Sequence, residues 1–256
     1  MIILHPTAIV SERSRLAAEV AVGPYAVVEP DTDIGEGSEI RAHAVIKRFT
    51  SLGPQNVVHE GAVLGGEPQD VRYTECESYV RIGARNRIRE GVTIQRGSSP
   101  SSATILGSDC YLMVNAHVAH DCRIGDGVIL ANNVALAGHV EIQSRAFLSG
   151  GVVVHQFCRV GRLAMIGGNS KIIQDCMPFV ITDGVPARAR GLNLVGIRRA
   201  GYGSDDIRIL KQAYRVLFRS GLSLDHALAS LCEMTHPLAD LIRDFASTSS
   251  RGFCRE

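Results

Sequence analysis

The chain has 256 residues, of which 45% are hydrophobic and 21% charged, and its 27 Lys and Arg nearly cancel 26 Asp and Glu to leave +1. This is the composition of a globular protein with room for one large domain and a small one, and the net charge is too small for a general nucleic-acid or membrane-surface binder. With 7 Phe, 6 Tyr and no Trp, the interior must be built from Val, Ile, Leu and Ala, which suits strands and regular stacking.

The first residues, MIILHPTAIV, lack a basic segment and meet a Pro at once. No apolar run approaches the ~18 residues of a membrane span. The seven cysteines are odd in number and form no C-x-x-C, so reduced thiols are expected rather than a disulfide framework or zinc knuckle. The expectation is a soluble, cytoplasmic protein.

From Leu4 to Leu64, every sixth residue is aliphatic, and the same phase runs from Leu106 to Ile172, with a short stretch at Ile82, Ile88 and Ile94 between them. By chance, two runs of this length would arise with a probability on the order of 10⁻⁸. Four residues after each anchor stands a small or β-branched side chain, such as Ala26, Ala44, Ala62, Cys110, Cys122 or Cys158, and one residue after it is often Gly. An even separation points anchor and small residue to one face of a short strand. Each six-residue unit therefore reads as a strand and a corner, with Gly expected to relieve backbone strain there. Three units make a triangular coil of about 18 residues, and stacked coils make a parallel β-helix over residues 1–190. The inward cysteines read as core fillers.

Two stretches, 65–81 and 95–105, break the phase and are too long for corners. They should protrude, as binding loops on rigid scaffolds do. After Ile172 the pattern ends, and residues 191–256 read as a small helical domain. Ser204 is the expected N-cap of a helix over 205–220, Ser223 starts a second, and Pro237 sits at the first position of a third. Arg198, Arg199, Arg208, Lys211, Arg215 and Arg219 recur at near-helical spacing, as either a solvated face or an anion-binding patch.

Four of nine histidines, His117, His120, His139 and His155, fall within 39 residues. An 18-residue coil brings them into neighbouring columns, none at an inward position. They form an outward imidazole patch suited to acid/base catalysis or to metal binding, with Asp121 placed to orient His120.

At these residues the sequence resembles the UDP-N-acetylglucosamine acyltransferase family, which performs the first step of lipid A synthesis. The resemblance rests on NAHVAHDC (115–122), ILANN (129–133), LAGHV (136–140), VHQFC (154–158), QDVRY (69–73) and GLNLVGIRR (191–199). It implies a left-handed β-helix, a homotrimer with its site between subunits, and no metal or other cofactor. The implied reaction moves a 3-hydroxyacyl chain from acyl carrier protein to the 3-hydroxyl of UDP-N-acetylglucosamine. It further implies that His120 is the general base, Asp121 its support and the Gly138 N–H the oxyanion donor, with His139 part of the catalytic group. His117, His139, His155, Gln156, Asp70 and Arg72 then match sugar and phosphate contacts, and Asn193 and Arg199 nucleotide contacts. Gly168 stands where the family limits acyl-chain depth, so a long donor is expected. The second loop and the basic helix are the expected docking surface for the acidic carrier. Arg72, Gln95, Val195 and Ala200 depart from the family pattern without removing the base. Two alternatives keep the scaffold: an N-acyltransferase on a 3-amino sugar nucleotide, and a zinc hydratase resembling the gamma-class carbonic anhydrases.

Overall fold

The computed structural model describes residues 1–256. Three sheets of 11, 9 and 8 short strands, parallel except for the last pair of the first sheet, form the sides of a prism. The first face begins at Ile3–Leu4, the second at Ile9–Val10 and the third at Arg15–Leu16, and each later strand pairs with its counterpart one coil on. Register is one to one, as in Tyr111 beside Ile129 beside Phe147. The aliphatic anchor is the second residue of each two-residue strand, and Ile40, Ile46, Leu112, Leu130 and Leu148 are completely buried. Each such side chain contributes roughly 1.5–3 kcal/mol on burial, and with the small residue two places before it fills a core cluster of 42 residues.

The corners differ from the expected pattern in one respect. Left-handed backbone falls on the third residue after the anchor, at Asn115, Asp121, Asn133, His139, Phe157 and Asn169 among others, with φ near +60°. The glycine directly after the anchor serves instead to let coils approach. A Cβ on Gly53 or Gly107 would lie 2.8 Å from backbone atoms of the next coil.

Both irregular loops leave the second face and return to the third: residues 67–78 lie between Val63–Gly66 and Tyr79–Ile82, and residues 96–102 between Thr93–Gln95 and Ala103–Leu106. They lengthen two consecutive coils to 30 and 24 residues, against the usual 18. There the interior carries amides: Asn56 Oδ1 accepts the Asn86 N–H at 2.9 Å, and Asn86 Oδ1 accepts the Cys110 N–H at 2.8 Å. These bonds satisfy polar groups that would otherwise be costly inside.

The first face continues past Ile172 into Val180–Asp183, which turns antiparallel into Arg188–Leu192. Four helices follow: α1 (Leu194–Arg199), α2 (Ser204–Arg219), α3 (Leu224–Cys232) and α4 (Pro237–Ser247). The N-cap of α2 is Gly203 rather than Ser204, its N–H bonded by the Asp206 carboxylate at 3.0 Å. The Ser223 hydroxyl caps α3, and Pro237 opens α4. The helices close on a second core of 17 residues. Arg159 joins this domain to the prism. Its guanidinium pairs with buried Asp175 at 2.8 Å, donates to the Phe245 carbonyl at 2.8 Å and to Thr248 Oγ1 at 3.0 Å, and lies over the Phe245 ring.

Candidate active site

The corner between the second and third faces carries both loops and, directly beyond them, Asp121, His139 and Phe157 one coil apart. His120 Nδ1 lies 2.9 Å from Asp121 Oδ2. An ionised carboxylate only accepts, so Nδ1 carries a proton in this pair. His139 meets His120 edge-on with ring centres 5.1 Å apart, and its Nε2 is 3.7 Å from Asp121 Oδ2. Phe157 stacks on the other side of His139 at 4.7 Å.

Asp121 is tied down from several sides. Its N–H donates to Thr104 Oγ1 at 2.8 Å, and its Oδ2 accepts from the Ser98 hydroxyl at 2.7 Å and the Ser98 N–H at 3.1 Å. Burial pushes its carboxyl up, but hydrogen bonds from Ser98, His120 and Ser102 together outweigh that effect and hold it below its ordinary value. The Asp121 carboxylate is therefore ionised at neutral pH.

Gly138 occupies the His120 column one coil on. A Cβ there would sit 2.5 Å from His120 Cε1 and 2.6 Å from Nε2. Only glycine lets the imidazole lie flat against that corner, and the Gly138 N–H donates to no acceptor in the protein. A cleft of about 670 Å³ opens here, lined by His117, His120, Gly138, Gln156, Asp70 and Arg72. Its first-loop wall is set by Asp70, which accepts from the Arg72 N–H at 2.9 Å and lies 3.4 Å from its guanidinium. These contacts lower the Asp70 carboxyl pKa, the backbone bond most. His117 Nδ1 is 2.7 Å from Thr93 Oγ1, and burial lowers its pKa.

The structure brings His117, His120, Asp121, Gly138, His139, Gln156, Asp70 and Arg72 to one corner. His155, beside Gln156, is exposed, and its ring bonds only to the Gln156 carbonyl. Asn193 serves the fold, since its Oδ1 caps α1 at the Gly196 N–H and its Nδ2 donates to the Leu163 carbonyl at 2.9 Å. Arg199, at the end of α1, is exposed, and no hydrogen bond ties either residue to the imidazoles within this chain. Gln95 holds the first loop, its Oε1 accepting the Gln69 N–H at 3.3 Å.

A second cleft, of about 800 Å³, lies on α2, lined by Arg198, Arg208, Lys211 and Arg215. Among the inward cysteines, burial pushes the Cys122 thiol up to about 12. Sequence reasoning missed Ser98, Thr104, Phe157 and Arg96. The buried Arg96 guanidinium donates to Tyr73 Oη at 2.9 Å and so fastens the first loop to the second. Phe157 was within reach of the 18-residue arithmetic, since it stands 18 after His139; the loop residues lie outside the repeat.

Residues 175–254 match the family described as UDP-N-acetylglucosamine O-acyltransferase, domain 2, and residues 103–138 match the bacterial transferase hexapeptide family. Curated acyl-[acyl-carrier-protein]–UDP-N-acetylglucosamine O-acyltransferases from Gloeothece citriformis and Synechocystis sp. are each 46% identical over 207 residues, covering 80% of this chain and 75% of theirs. The crystal structure of UDP-N-acetylglucosamine O-acyltransferase from Moraxella catarrhalis superposes with a TM-score of 0.96 at 41% identity, over 98% of this chain and 99% of that one. With the same β-helix, the same helical tail and nearly half of its aligned residues in common with these relatives, the chain belongs to the UDP-N-acetylglucosamine O-acyltransferase family.

Proposed function

We propose that the protein transfers a 3-hydroxyacyl chain from acyl carrier protein to the 3-hydroxyl of UDP-N-acetylglucosamine, the first step of lipid A synthesis. The observation that carries this reading is the His120–Asp121 pair. Its free Nε2 faces the cleft beside an unengaged backbone N–H. Nε2 takes the proton of the sugar hydroxyl as that oxygen attacks the thioester carbonyl, while Asp121 stabilises the imidazolium through Nδ1–H. The Gly138 N–H stabilises the oxyanion, where a preorganised donor contributes most. His120 then returns the proton to the departing thiolate, so neither metal nor covalent enzyme intermediate is needed.

His117, His139, Gln156, Asp70 and Arg72 hold the sugar and phosphates in this reading. His155 belongs with these sugar and phosphate contacts, and Asn193 and Arg199 reach the nucleotide across a subunit boundary, which makes the homotrimer the active form. The basic cleft on α2 suits an acidic carrier protein. No helix is long and apolar enough to cross a membrane, and all seven cysteines are unpaired, in keeping with a cytoplasmic enzyme. At Gly168 a Cβ would meet nothing nearer than 3.4 Å and φ is ordinary. No packing need therefore explains that glycine, which supports an open acyl groove and a long donor. Gly168→Met is expected to shift donor preference to shorter chains with little change in Tm.

The test mixes purified protein with UDP-N-acetylglucosamine, its 3-amino analogue and a series of hydroxyacyl carrier proteins, with the product identified by mass. The expected product carries the acyl group on the 3-oxygen. One observation favours a second reading: His120, Asp121 and His139 each offer a ligand atom within 4.8 Å of the others. Stoichiometric zinc, or activity abolished by a chelator, would favour the hydratase over the acyltransferase.

A further inference from the structure

We infer that Ser98 is a positioning residue that commits Asp121 to His120 rather than to His139. The inference rests on His120 acting as the base. Asp121 Oδ2 has two imidazoles within reach, His120 Nδ1 at 2.9 Å and His139 Nε2 at 3.7 Å. Rotation of the carboxylate toward His139 would leave the Nδ1 proton of His120 unpaired and its ring free to turn away from Gly138.

Ser98 opposes that rotation with two donors on the same oxygen, its hydroxyl and its backbone N–H. These donors are held rigidly. The preceding Gly97 packs so closely against the return of the loop that a Cβ on it would lie 2.6 Å from the Ser102 backbone. The Arg96 N–H donates to the Gly66 carbonyl at 2.8 Å, the Gly97 N–H to the Tyr79 carbonyl at 3.2 Å, and the Ser102 N–H to the Ser99 carbonyl at 3.0 Å. On the other side, Thr104 fixes the Asp121 backbone, whose φ of 59° leaves it little freedom. The second loop therefore acts on the base through Asp121, a role separate from docking of the carrier.

Loss of a hydroxyl donor to a carboxylate should lower kcat about tenfold. The comparison is wild type, Ser98→Ala and Ser98→Thr, each assayed for kcat and KM and examined for the low-field proton of His120 Nδ1–H by NMR. The expected result is a tenfold lower kcat in S98A with both KM values within twofold of wild type. The Nδ1 proton signal should be broadened or lost in S98A, and both properties restored in S98T. A full kcat in S98A, or an unchanged proton signal, overturns the proposal; so does a loss that S98T fails to restore. The NMR arm needs no turnover, so it stands even if the wild type proves to transfer no acyl group, an outcome that would instead remove the proposed activity.

Discussion

His43 and His139 occupy equivalent places in two different corners. Both have φ of 60°, and each stacks on an aromatic corner residue one coil away, His43 on Tyr25 at 5.2 Å and His139 on Phe157 at 4.7 Å. Stacked rings at a corner are thus a product of the repeat, and stacking alone does not make a site. The neighbouring column makes the difference. His139 has Asp121 and the edge of His120 beside it, whereas His43 makes no side-chain hydrogen bond or ion pair. The rest of that other corner is mostly Gly and Asn, at 61, 91, 115, 133, 151 and 169. These residues adopt left-handed backbone with little strain. At the loop-bearing corner Asp121, His139 and Phe157 adopt the same left-handed backbone, as do Asp31 and Phe49 earlier in the chain, so what sets His139 apart is the carboxylate and the second imidazole beside it.

Three paired experiments test this contrast. His120→Ala should lower kcat/KM about 10³-fold, while His43→Ala leaves turnover unchanged; equal losses would erase the distinction between the corners. Gly138→Ala should lower kcat about 10²-fold by displacing the imidazole. Gly150→Ala, whose new Cβ would meet nothing closer than 3.4 Å, should be silent in the same assay. Phe157→Ala and Tyr25→Ala should each cost about 0.5–1.5 kcal/mol of stability by thermal or denaturant unfolding, and only the former should slow turnover, by several-fold.

The smallest effect concerns acid. Burial lowers the pKa of His117, and that of His59 in the other corner, where Arg41 and Arg89 lower it further. Both imidazoles take a proton more readily unfolded than folded. Stability is therefore full above the unfolded value of about 6.5 and falls as pH drops below it. Asp121, whose folded pKa is lowered, loses its contribution only below about pH 4. Tm measured from pH 7 to pH 5 should decline in the wild type and decline less in His117→Gln.

Much of this was legible in the sequence because the prism converts spacing into position. The anchors, the two loops and the juxtaposition of His120, Asp121 and His139 all follow from a period of six. Ser98 and Arg96 did not follow, because they lie in segments that interrupt the period; no arithmetic says where a Ser in QRGSSPSS will point. The role of the corner glycines was hidden for another reason. Alternation reports which way a side chain faces, and neither close approach between coils nor the sign of φ leaves a trace in it. Asn193 has a structural part that neither the period nor the resemblance announces: its side chain caps α1.

Arg159 and Asp175 have a mechanical consequence. The segment Ser249 to Cys254 returns to the prism at Asp175, which accepts the Ser249 hydroxyl at 2.8 Å and whose backbone bridges that of Phe253. With the guanidinium of Arg159 clamped between the same carboxylate and the end of α4, no hinge separates helices from coils. The two parts move as one lever. A partner seated on the basic cleft of α2 is thus presented to the stack at a constant distance and angle, so the reach of whatever arm it carries, rather than any swing of the domain, decides which corner it serves.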